Sequence, residues 1–226
     1  MNIDSIGWNH LRGIEPLSLC DWPGKATCVF FMGGCNLNCP TCHNFDMAWN
    51  MEKLPVLPKE DIKSFLRNRA QWLDGVTITG GEPTLVPNLG EILFEIRKAS
   101  KLPIKMDSNG MTPETLEDLL QQGLVEQFAI DVKGPYVKYP ALTGQAVTAE
   151  TARKNLERVF DLATVNPGAF YFRITKVPIL TDDDVETARG YLPDGFDLTI
   201  QKYIPPRREH AHADNEAGRP VGNMVD

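Results

Sequence analysis

The chain contains only five cysteines among its 226 residues, and their odd number excludes a complete disulfide framework. No apolar run approaches the length needed to span a membrane. No block of lysine and arginine offsets the net charge of −7, which argues against nucleic-acid binding. The N-terminus, MNIDSIGWNH, lacks the basic start and apolar run of a signal peptide. We therefore expect a cytoplasmic protein whose thiols stay reduced.

Three of the few cysteines, Cys35, Cys39 and Cys42, are close together in the chain. Closely spaced thiolates form a metal-ligand set, and sulfur ligands favour zinc or an iron–sulfur cluster. Both usually take four protein ligands, so three cysteines leave one coordination position for an external molecule. The triplet thus indicates chemistry rather than a structural staple. We expect the remaining cysteines, Cys20 and Cys28, to be small buried residues of the core.

Zinc, with His43 as the fourth ligand, is the alternative interpretation of this metal site. Cys42 and His43 are adjacent, whereas zinc ligands usually stand several residues apart. The spacing therefore favours an iron–sulfur cluster. We expect His43 to pack beside a bound cofactor rather than to ligate a metal.

Short apolar runs alternate with amphipathic segments, the pattern of a parallel sheet with helical crossovers. Helices are expected between the strands, with Pro87 opening the second, Thr112 capping the third and Thr181 capping the fifth. Six strand–helix units predict an α/β fold, a partial (β/α)6-type barrel with parallel strands. The strands are expected near 27–32, 75–79, 103–107, 127–133, 170–176 and 197–203.

No linker or internal repeat divides residues 1–204, which we interpret as one domain. Residues 205–226 form a polar tail rich in proline, glycine and charge, and we expect this tail to be poorly ordered. It holds His210 and His212, which we interpret as solvated residues rather than metal ligands.

The predicted strands carry apolar residues on one face and polar residues on the other. Because the apolar sets must face the helices, the polar sets point into the barrel, whose centre is ordinarily filled with branched aliphatic residues. A structural salt-bridge network would explain this pattern, but we favour a lumen that holds a charged ligand. The charged residues are Lys105, Asp107, Asp131, Lys133 and Arg173.

Three loops that follow predicted strands carry unusual residues. The first strand runs into Gly33-Gly34 and the cysteine triplet, and the second ends at Gly80-Gly81-Glu82-Pro83. The third ends at Asp107-Ser108-Asn109-Gly110. Loops after parallel strands carry function at the C-terminal edge of the sheet, and paired glycines let a backbone approach a ligand closely. These loops therefore predict one site.

Together these residues resemble the radical S-adenosylmethionine superfamily over about residues 14–205. The resemblance implies that Cys35, Cys39 and Cys42 hold three irons of a [4Fe–4S] cluster, while the fourth iron binds the amino and carboxylate groups of S-adenosylmethionine. The segment Gly80-Gly81-Glu82 resembles the motif that binds the methionine amino group. The implied activity is reductive cleavage of S-adenosylmethionine to a 5′-deoxyadenosyl radical, so the resemblance implies an oxidoreductase.

Finer features resemble the activases of glycyl radical enzymes. These are the segments Asp21-Trp22-Pro23-Gly24 and Cys42-His43-Asn44, the Asp107-Ser108-Asn109-Gly110 loop, Asp131-Val132-Lys133, and Arg173. The resemblance implies that Asp107 and Asp131 are able to hold a monovalent cation. It also implies that His43, Asn109, Lys133 and Arg173 contact the cofactor or organise its site.

Among these activases, the chain most resembles the anaerobic ribonucleoside-triphosphate reductase activating proteins. They share the D-x-P-G segment and a Q-x-x-x-P segment, here Gln201 to Pro205. The implied partners are a glycyl radical enzyme, an anaerobic ribonucleotide reductase in the first instance, and an electron donor of the flavodoxin or ferredoxin type. The chain departs from the family at Thr41, where an aromatic residue usually precedes the third cysteine.

Two other functions stay open. The first is a radical enzyme that modifies a small molecule, as the similarly sized 7-carboxy-7-deazaguanine synthases do. Those enzymes typically have an expanded or altered cysteine loop, and the compact loop here favours the activase. The second is an iron–sulfur electron carrier, which needs neither an open iron nor a polar lumen.

Overall fold

A seven-stranded sheet organises the computed structural model, which describes residues 4–206. The spatial order of the strands follows their order in the chain. The last six strands are parallel and coincide with the predicted ones within a few residues, whereas the first pairs antiparallel with the second. The strands are β1 (Leu11–Ser18), β2 (Thr27–Met32), β3 (Gly75–Gly80), β4 (Ile104–Ser108), β5 (Gln127–Asp131), β6 (Phe170–Lys176) and β7 (Leu198–Lys202).

Helices connect consecutive parallel strands, which confirms the predicted α/β fold. Apolar stripes of the crossover helices cover the outer face of the sheet. In α4, for example, Ile92, Leu93 and Ile96 are fully buried at helical spacing. The helices are α1 (Asp4–Trp8), α2 (Phe45–Trp49), α3 (Lys59–Arg69), α4 (Leu89–Ser100), α5 (Pro113–Gln121), α6 (Tyr139–Leu142), α7 (Ala149–Val165) and α8 (Asp182–Arg189).

The helix starts agree only partly with the predicted caps. Thr181 caps α8 through a reciprocal capping box with Asp184, as predicted. Helix α4 begins at Leu89 rather than at Pro87, because Asn88 adopts a left-handed conformation with φ of 56°. Thr112 occupies the cap position of α5, but its hydroxyl contacts the Thr84 hydroxyl at 2.5 Å and does not cap the helix. Tertiary contact outweighed local capping at this residue.

Strand β1 was missed by the sequence pattern. It includes Pro16, its middle residues are exposed or half-buried, and its pairing with β2 is interrupted by two register shifts. No alternation therefore marks it as a strand. The turn after β1 also corrects the expectation for Cys20, which is exposed because it lies outside the core, whereas Cys28 on β2 is buried as predicted.

Strands β1 and β7 stand at the two ends of the sheet order, so a lateral gap separates them. Residues from β2 to β7 line one cavity, so the sheet curves into a partial barrel. Within residues 4–206, no helix combines the length and apolar character needed to cross a bilayer. The predicted polar tail, including His210 and His212, lies outside the described residues except for its first two positions. The division at residue 204 therefore stays a prediction.

Candidate active site

A cavity of about 400 Å³ opens at the C-terminal ends of the parallel strands. This volume falls within the usual range for small-molecule sites, about 300–1,000 Å³. The predicted polar face of the sheet points into it, because Thr79, Asp107, Asp131, Arg173, Thr175 and Gln201 line the cavity. Every site residue predicted from the sequence lines this same cavity: Cys35, Cys39, Cys42, His43, Gly80, Gly81, Glu82, Asp107, Asn109, Asp131, Lys133 and Arg173.

The cysteine loop is held against the glycine loop by backbone hydrogen bonds. Gly81 N–H donates to the carbonyl of Met32 at 2.8 Å, and Glu82 N–H donates to the carbonyl of Gly34 at 2.8 Å. The Asn44 side chain, two residues after Cys42, donates to the carbonyl of Gly80 at 2.9 Å. The loops after β2 and β3 therefore form one wall of the cavity.

The paired glycines are required by this close approach. A Cβ atom on Gly81 would stand 2.0 Å from the Gly34 carbonyl oxygen, and one on Gly80 would stand 2.3 Å from that of Met32. Gly80 also has a φ of +120°, which side-chain-bearing residues rarely adopt. The sequence predicted that these glycines bring backbone close to a ligand. The described contacts show that they also bring backbone close to the cysteine loop.

Replacing Gly81 with alanine should separate the two loops, because the added methyl group cannot fit against the Gly34 backbone. We expect a loss of about 1–3 kcal/mol in the free energy of unfolding, and a reduced iron content after cluster reconstitution. Denaturant unfolding and iron analysis measure the two effects. Gly168→Ala is the matched control, since no atom lies within 4 Å of its added Cβ. Equal behaviour of the two variants would contradict the packing role.

Glu82 connects the glycine loop to the loop after β4. Its side chain is buried, and its carboxylate accepts hydrogen bonds from Ser108 Oγ at 2.9 Å, Asn109 N at 2.7 Å and Thr84 Oγ1 at 2.6 Å. Burial raises the pKa of the Glu82 carboxyl above its ordinary value, and the hydrogen bonds oppose this shift. Glu82 therefore holds the loops after β3 and β4 in position.

Asn109 extends the same network towards the cysteines. Its side-chain amide donates to the Asn36 side-chain oxygen at 2.7 Å, and its own oxygen accepts from Met111 N at 2.9 Å. Asn36 directly follows Cys35 in the chain. The loops after β2, β3 and β4 are thus tied together around the cavity.

A charged network crosses the lumen. Arg173 on β6 bridges two carboxylates, with Nη2 at 3.1 Å from Asp107 Oδ2 and Nε at 2.5 Å from Asp131 Oδ1. Lys133 Nζ lies 3.0 Å from Asp131 Oδ2, and Lys105 Nζ forms an ion pair with Asp107 Oδ1. The salt-bridge network that the sequence left as the alternative is therefore present, and four of its members, Asp107, Asp131, Lys133 and Arg173, also line the cavity.

The charges in this network set the ionisation of its members. Burial opposes ionisation of Asp131, but the neighbouring charges of Arg173 and Lys133 hold the pKa of its carboxyl well below the ordinary value. Burial lowers the pKa of Lys105, and its pairing with Asp107 opposes that shift. The backbone at Lys133 is fixed as well, because its N–H donates to the hydroxyl of buried Tyr139 at 3.0 Å.

His43 joins the cysteine loop to the end of the sheet. Its Nε2 contacts the carbonyl oxygen of Ile204, and its ring stacks on that of Tyr203 with centroids 6.2 Å apart. Both partners follow β7, so this contact spans the lateral gap between the two ends of the sheet. His43 thus lines the cavity, and its expected place beside a bound cofactor stays a prediction.

The donor set of the cysteine loop fits an iron–sulfur cluster. Cys35, Cys39 and Cys42 form no disulfide, and their partly buried side chains line the cavity together. Among residues 4–206, no three Cys, His, Asp or Glu side chains converge on a position for a single metal ion. A cluster places each thiolate on a separate iron, so its ligands do not need to converge in that way.

Burial raises the pKa of the Cys35 thiol to about 12. The free protein therefore holds this thiol protonated at neutral pH. Because metals are bound by thiolates, loading of the site must release its proton.

The structure adds residues that the sequence motifs did not assign to the site. The sequence marked Asn44 only as part of a motif and gave no role to Asn36. The hydrogen-bond partners of both residues, Gly80 and Asn109, are distant in the chain. Lys105 was noticed only as a polar-face residue, yet it is the only lysine in the described part of the chain that is fully buried. The available signal in the sequence was a lysine at a position of β4 whose side chain points inward, where a buried charge needs a partner.

Comparison with known proteins identifies the class. The family model described as the Radical SAM superfamily matches residues 29–192, which covers the cysteine loop, the glycine loop and the charged network. The chain belongs to this superfamily. S-Adenosylmethionine and an iron–sulfur cluster are the cofactors that this membership implies.

Within the superfamily the chain is an enzyme of the glycyl-radical activase-like type. It is 32% identical over 196 residues, 86% of this chain and 80% of the relative, to a candidate glycyl-radical enzyme activating enzyme of Methanocaldococcus jannaschii. It is 32% identical to the pyruvate formate-lyase-activating enzyme of Clostridium pasteurianum, over 55% of this chain and 52% of the relative.

A third relative has a different name. The 7-carboxy-7-deazaguanine synthase of Clostridium acetobutylicum is 30% identical over 50% of this chain and 49% of the relative. The chain thus spans about half the length of the second and third relatives. Among solved structures, anSMEcpe with bound AdoMet has a TM-score of 0.57 at 18% identity, over 77% of this chain and 50% of that chain, which shows the shared fold.

Proposed function

We propose that this enzyme is a glycyl-radical-enzyme activase, which uses a [4Fe–4S] cluster and S-adenosylmethionine to install a radical on a separate protein. The observation that carries the proposal is the convergence in one cavity of the cysteine triplet, the glycine loop and the charged network. The activase relative that covers 86% of the chain supports it. An anaerobic ribonucleotide reductase is the first partner to test, with a flavodoxin or ferredoxin as electron donor.

The residues divide the work in the following way. Cys35, Cys39 and Cys42 would hold three irons, and the backbone of Gly80 and Gly81 would border the methionine end of the cofactor. When bound, the cluster and S-adenosylmethionine supply reductive cleavage of a carbon–sulfur bond and a radical that abstracts hydrogen. The protein contributes binding, orientation and exclusion of water.

The charged network would orient the cofactor. Lys133 and Arg173 are cations at the cavity wall. Both are already held by Asp131, so they can receive an anionic carboxylate with little reorganisation. Asn109 and His43 would pack at the sides of the cofactor. Glu82 would act as a positioning residue, because protein donors already occupy both of its oxygens.

The rim of the cavity favours a protein substrate. The loops that follow β5, β6 and β7 expose the apolar side chains of Val137, Ile179 and Ile204. These loops lie at the same edge of the sheet as the cavity. We infer that these residues contribute to an apolar surface that another protein covers.

Two measurements on the anaerobically reconstituted enzyme test the function. Formation of 5′-deoxyadenosine from S-adenosylmethionine is expected, and its absence would leave only the electron-carrier interpretation. A glycyl radical on an added anaerobic ribonucleotide reductase, seen by electron paramagnetic resonance, is the expected result of activation. Turnover of 6-carboxytetrahydropterin without such a radical would instead support the second candidate, which the 7-carboxy-7-deazaguanine synthase relative favours.

Replacing Val137 with glutamate should impair activation of the partner selectively, because the new charge lies on the proposed docking rim. We expect the yield of glycyl radical to fall about tenfold, equivalent to about 1.4 kcal/mol of binding. Affinity for S-adenosylmethionine should stay unchanged. Val165→Glu is the matched control, since Val165 is equally exposed but ends α7 at the opposite edge of the sheet. A similar loss of radical in both variants would argue against the rim.

A further inference from the structure

Lys105 is a charged residue of the lumen to which the proposed function assigns no role. It stands on the inward face of β4, two residues before Asp107, and its side chain is 0% exposed. Its ammonium group forms an ion pair with Asp107 Oδ1 and lies 5.6 Å from the ring centroid of Tyr171. An isolated buried charge is very costly, so the Asp107 carboxylate must stay its partner.

The two carboxylates expected to hold a monovalent cation are each paired with protein cations through both of their oxygens. Asp107 accepts from Lys105 through one oxygen, and from Arg173 and Thr79 through the other. Asp131 pairs with Arg173 through one oxygen and with Lys133 through the other. A metal cation would have to share these oxygens with the charged side chains that already contact them, or displace one of those side chains. The residues present therefore do not fit the expected cation site.

The ion pairs of these two carboxylates point the same way. Asp107 and Asp131 already share three protein cations, Lys105, Lys133 and Arg173. An additional monovalent cation at these oxygens would stand at short range from those three like charges, where repulsion is strong.

We propose that the Lys105 ammonium is a built-in replacement for the monovalent cation, so that this enzyme binds S-adenosylmethionine without a bound alkali-metal ion. Lys105 acts as a positioning residue, because it holds Asp107, and through it Arg173, in the arrangement that receives the cofactor. The proposal rests on the proposed function, since it concerns the same cofactor.

The backbone makes Lys105 well suited to this role. Strand β4 lies inside the sheet, with Lys105 in register between Thr77 on β3 and Gln127 on β5. A residue so placed cannot turn its side chain out to solvent. An ammonium is a compact monovalent cation with three donors, and it resembles an alkali-metal ion in charge and in preference for oxygen partners.

The experiment compares cofactor binding in two buffers of equal ionic strength, one with potassium and one with tetramethylammonium. Isothermal titration with S-adenosylmethionine is carried out on the reconstituted wild type and on Lys105→Met, which keeps the length of the side chain without its charge. Lys63→Met is the matched control, because Lys63 forms a comparable ion pair with Glu95 at 2.8 Å on the protein surface.

The wild type and Lys63→Met should bind with affinities that agree within about twofold in the two buffers. Lys105→Met should bind about tenfold more weakly in tetramethylammonium than in potassium. Potassium-dependent binding by the wild type would overturn the proposal, as would potassium-independent binding of full affinity by Lys105→Met. Absence of binding in every buffer would overturn the proposed function itself.

A crystallographic readout does not depend on activity or on a well-behaved variant. Crystals of the wild-type holoenzyme with S-adenosylmethionine, grown with rubidium in place of potassium, should show no anomalous peak between Asp107 and Asp131. A rubidium peak at that position would overturn the proposal even if Lys105→Met failed to fold. In folded Lys105→Met, the same peak should appear where the ammonium group has been removed.

Discussion

Replacing Cys39 with alanine should abolish both cluster binding and cleavage of S-adenosylmethionine. The cysteine loop offers three thiols, and a cluster with one open iron needs all of them. Two remaining thiolates cannot hold it stably in the presence of solvent. Iron and sulfide analysis, visible absorption and the yield of 5′-deoxyadenosine measure the loss. We expect the latter to fall below detection.

Cys20→Ser is the control for this variant. Cys20 is exposed in the turn after β1, outside the cysteine triplet, so its replacement should leave the iron content and the cleavage activity unchanged. A Cys39→Ala protein that retained a full four-iron cluster would refute the assignment of the three ligands. Loss of the cluster in both variants would point to general instability instead.

Replacing Arg173 with alanine should produce the second large effect, while the cluster survives. Arg173 is mostly buried and bridges Asp107 and Asp131, so its removal leaves two lumen carboxylates without their shared partner. Breaking a buried ion pair in this way costs about 3–5 kcal/mol. The cysteine loop makes none of these contacts, so iron content should be retained. Affinity for S-adenosylmethionine should fall at least tenfold, equivalent to about 1.4 kcal/mol.

Arg158→Ala separates the lumen effect from the general loss of an arginine. Arg158 also bridges two carboxylates, Glu114 and Glu117, but on the exposed surface of α7 and α5. Surface ion pairs contribute little to stability, so this variant should melt close to the wild type and bind the cofactor normally. Chemical denaturation and isothermal titration provide both comparisons. Normal cofactor binding by Arg173→Ala would remove the main support for a charged lumen that receives a ligand.

Local patterns were sufficient for much of the fold. Alternation of apolar and polar residues located the six parallel strands, and the parity of Asp107, Asp131 and Arg173 correctly placed them on the inward face. Strand β1 has no such alternation, because it pairs along one edge only and is interrupted by register shifts. It could be recognised only once β2 was in place as a partner.

The site shows the same division. The cysteine spacing predicted a metal-cluster site, and the glycine pair predicted a close approach of the backbone. Both could be inferred from the sequence, because ligand type and backbone freedom are properties of the residues themselves. Contacts between residues that are distant in the chain could not be predicted from the sequence in this way. Glu82 meets Asn109, Asn44 meets Gly80, and His43 meets Ile204 across the lateral gap.

The few cysteines and the polar parity of the strands were thus enough to indicate a cluster-binding barrel, since composition and periodicity act locally. Whether the charged residues formed an internal network or an open ligand site depended on the distances among β4, β5 and β6. Those distances place Arg173 between two carboxylates and bury Lys105 beside Asp107. Charge pairing depends on positions in space, and the packing of the sheet sets those positions.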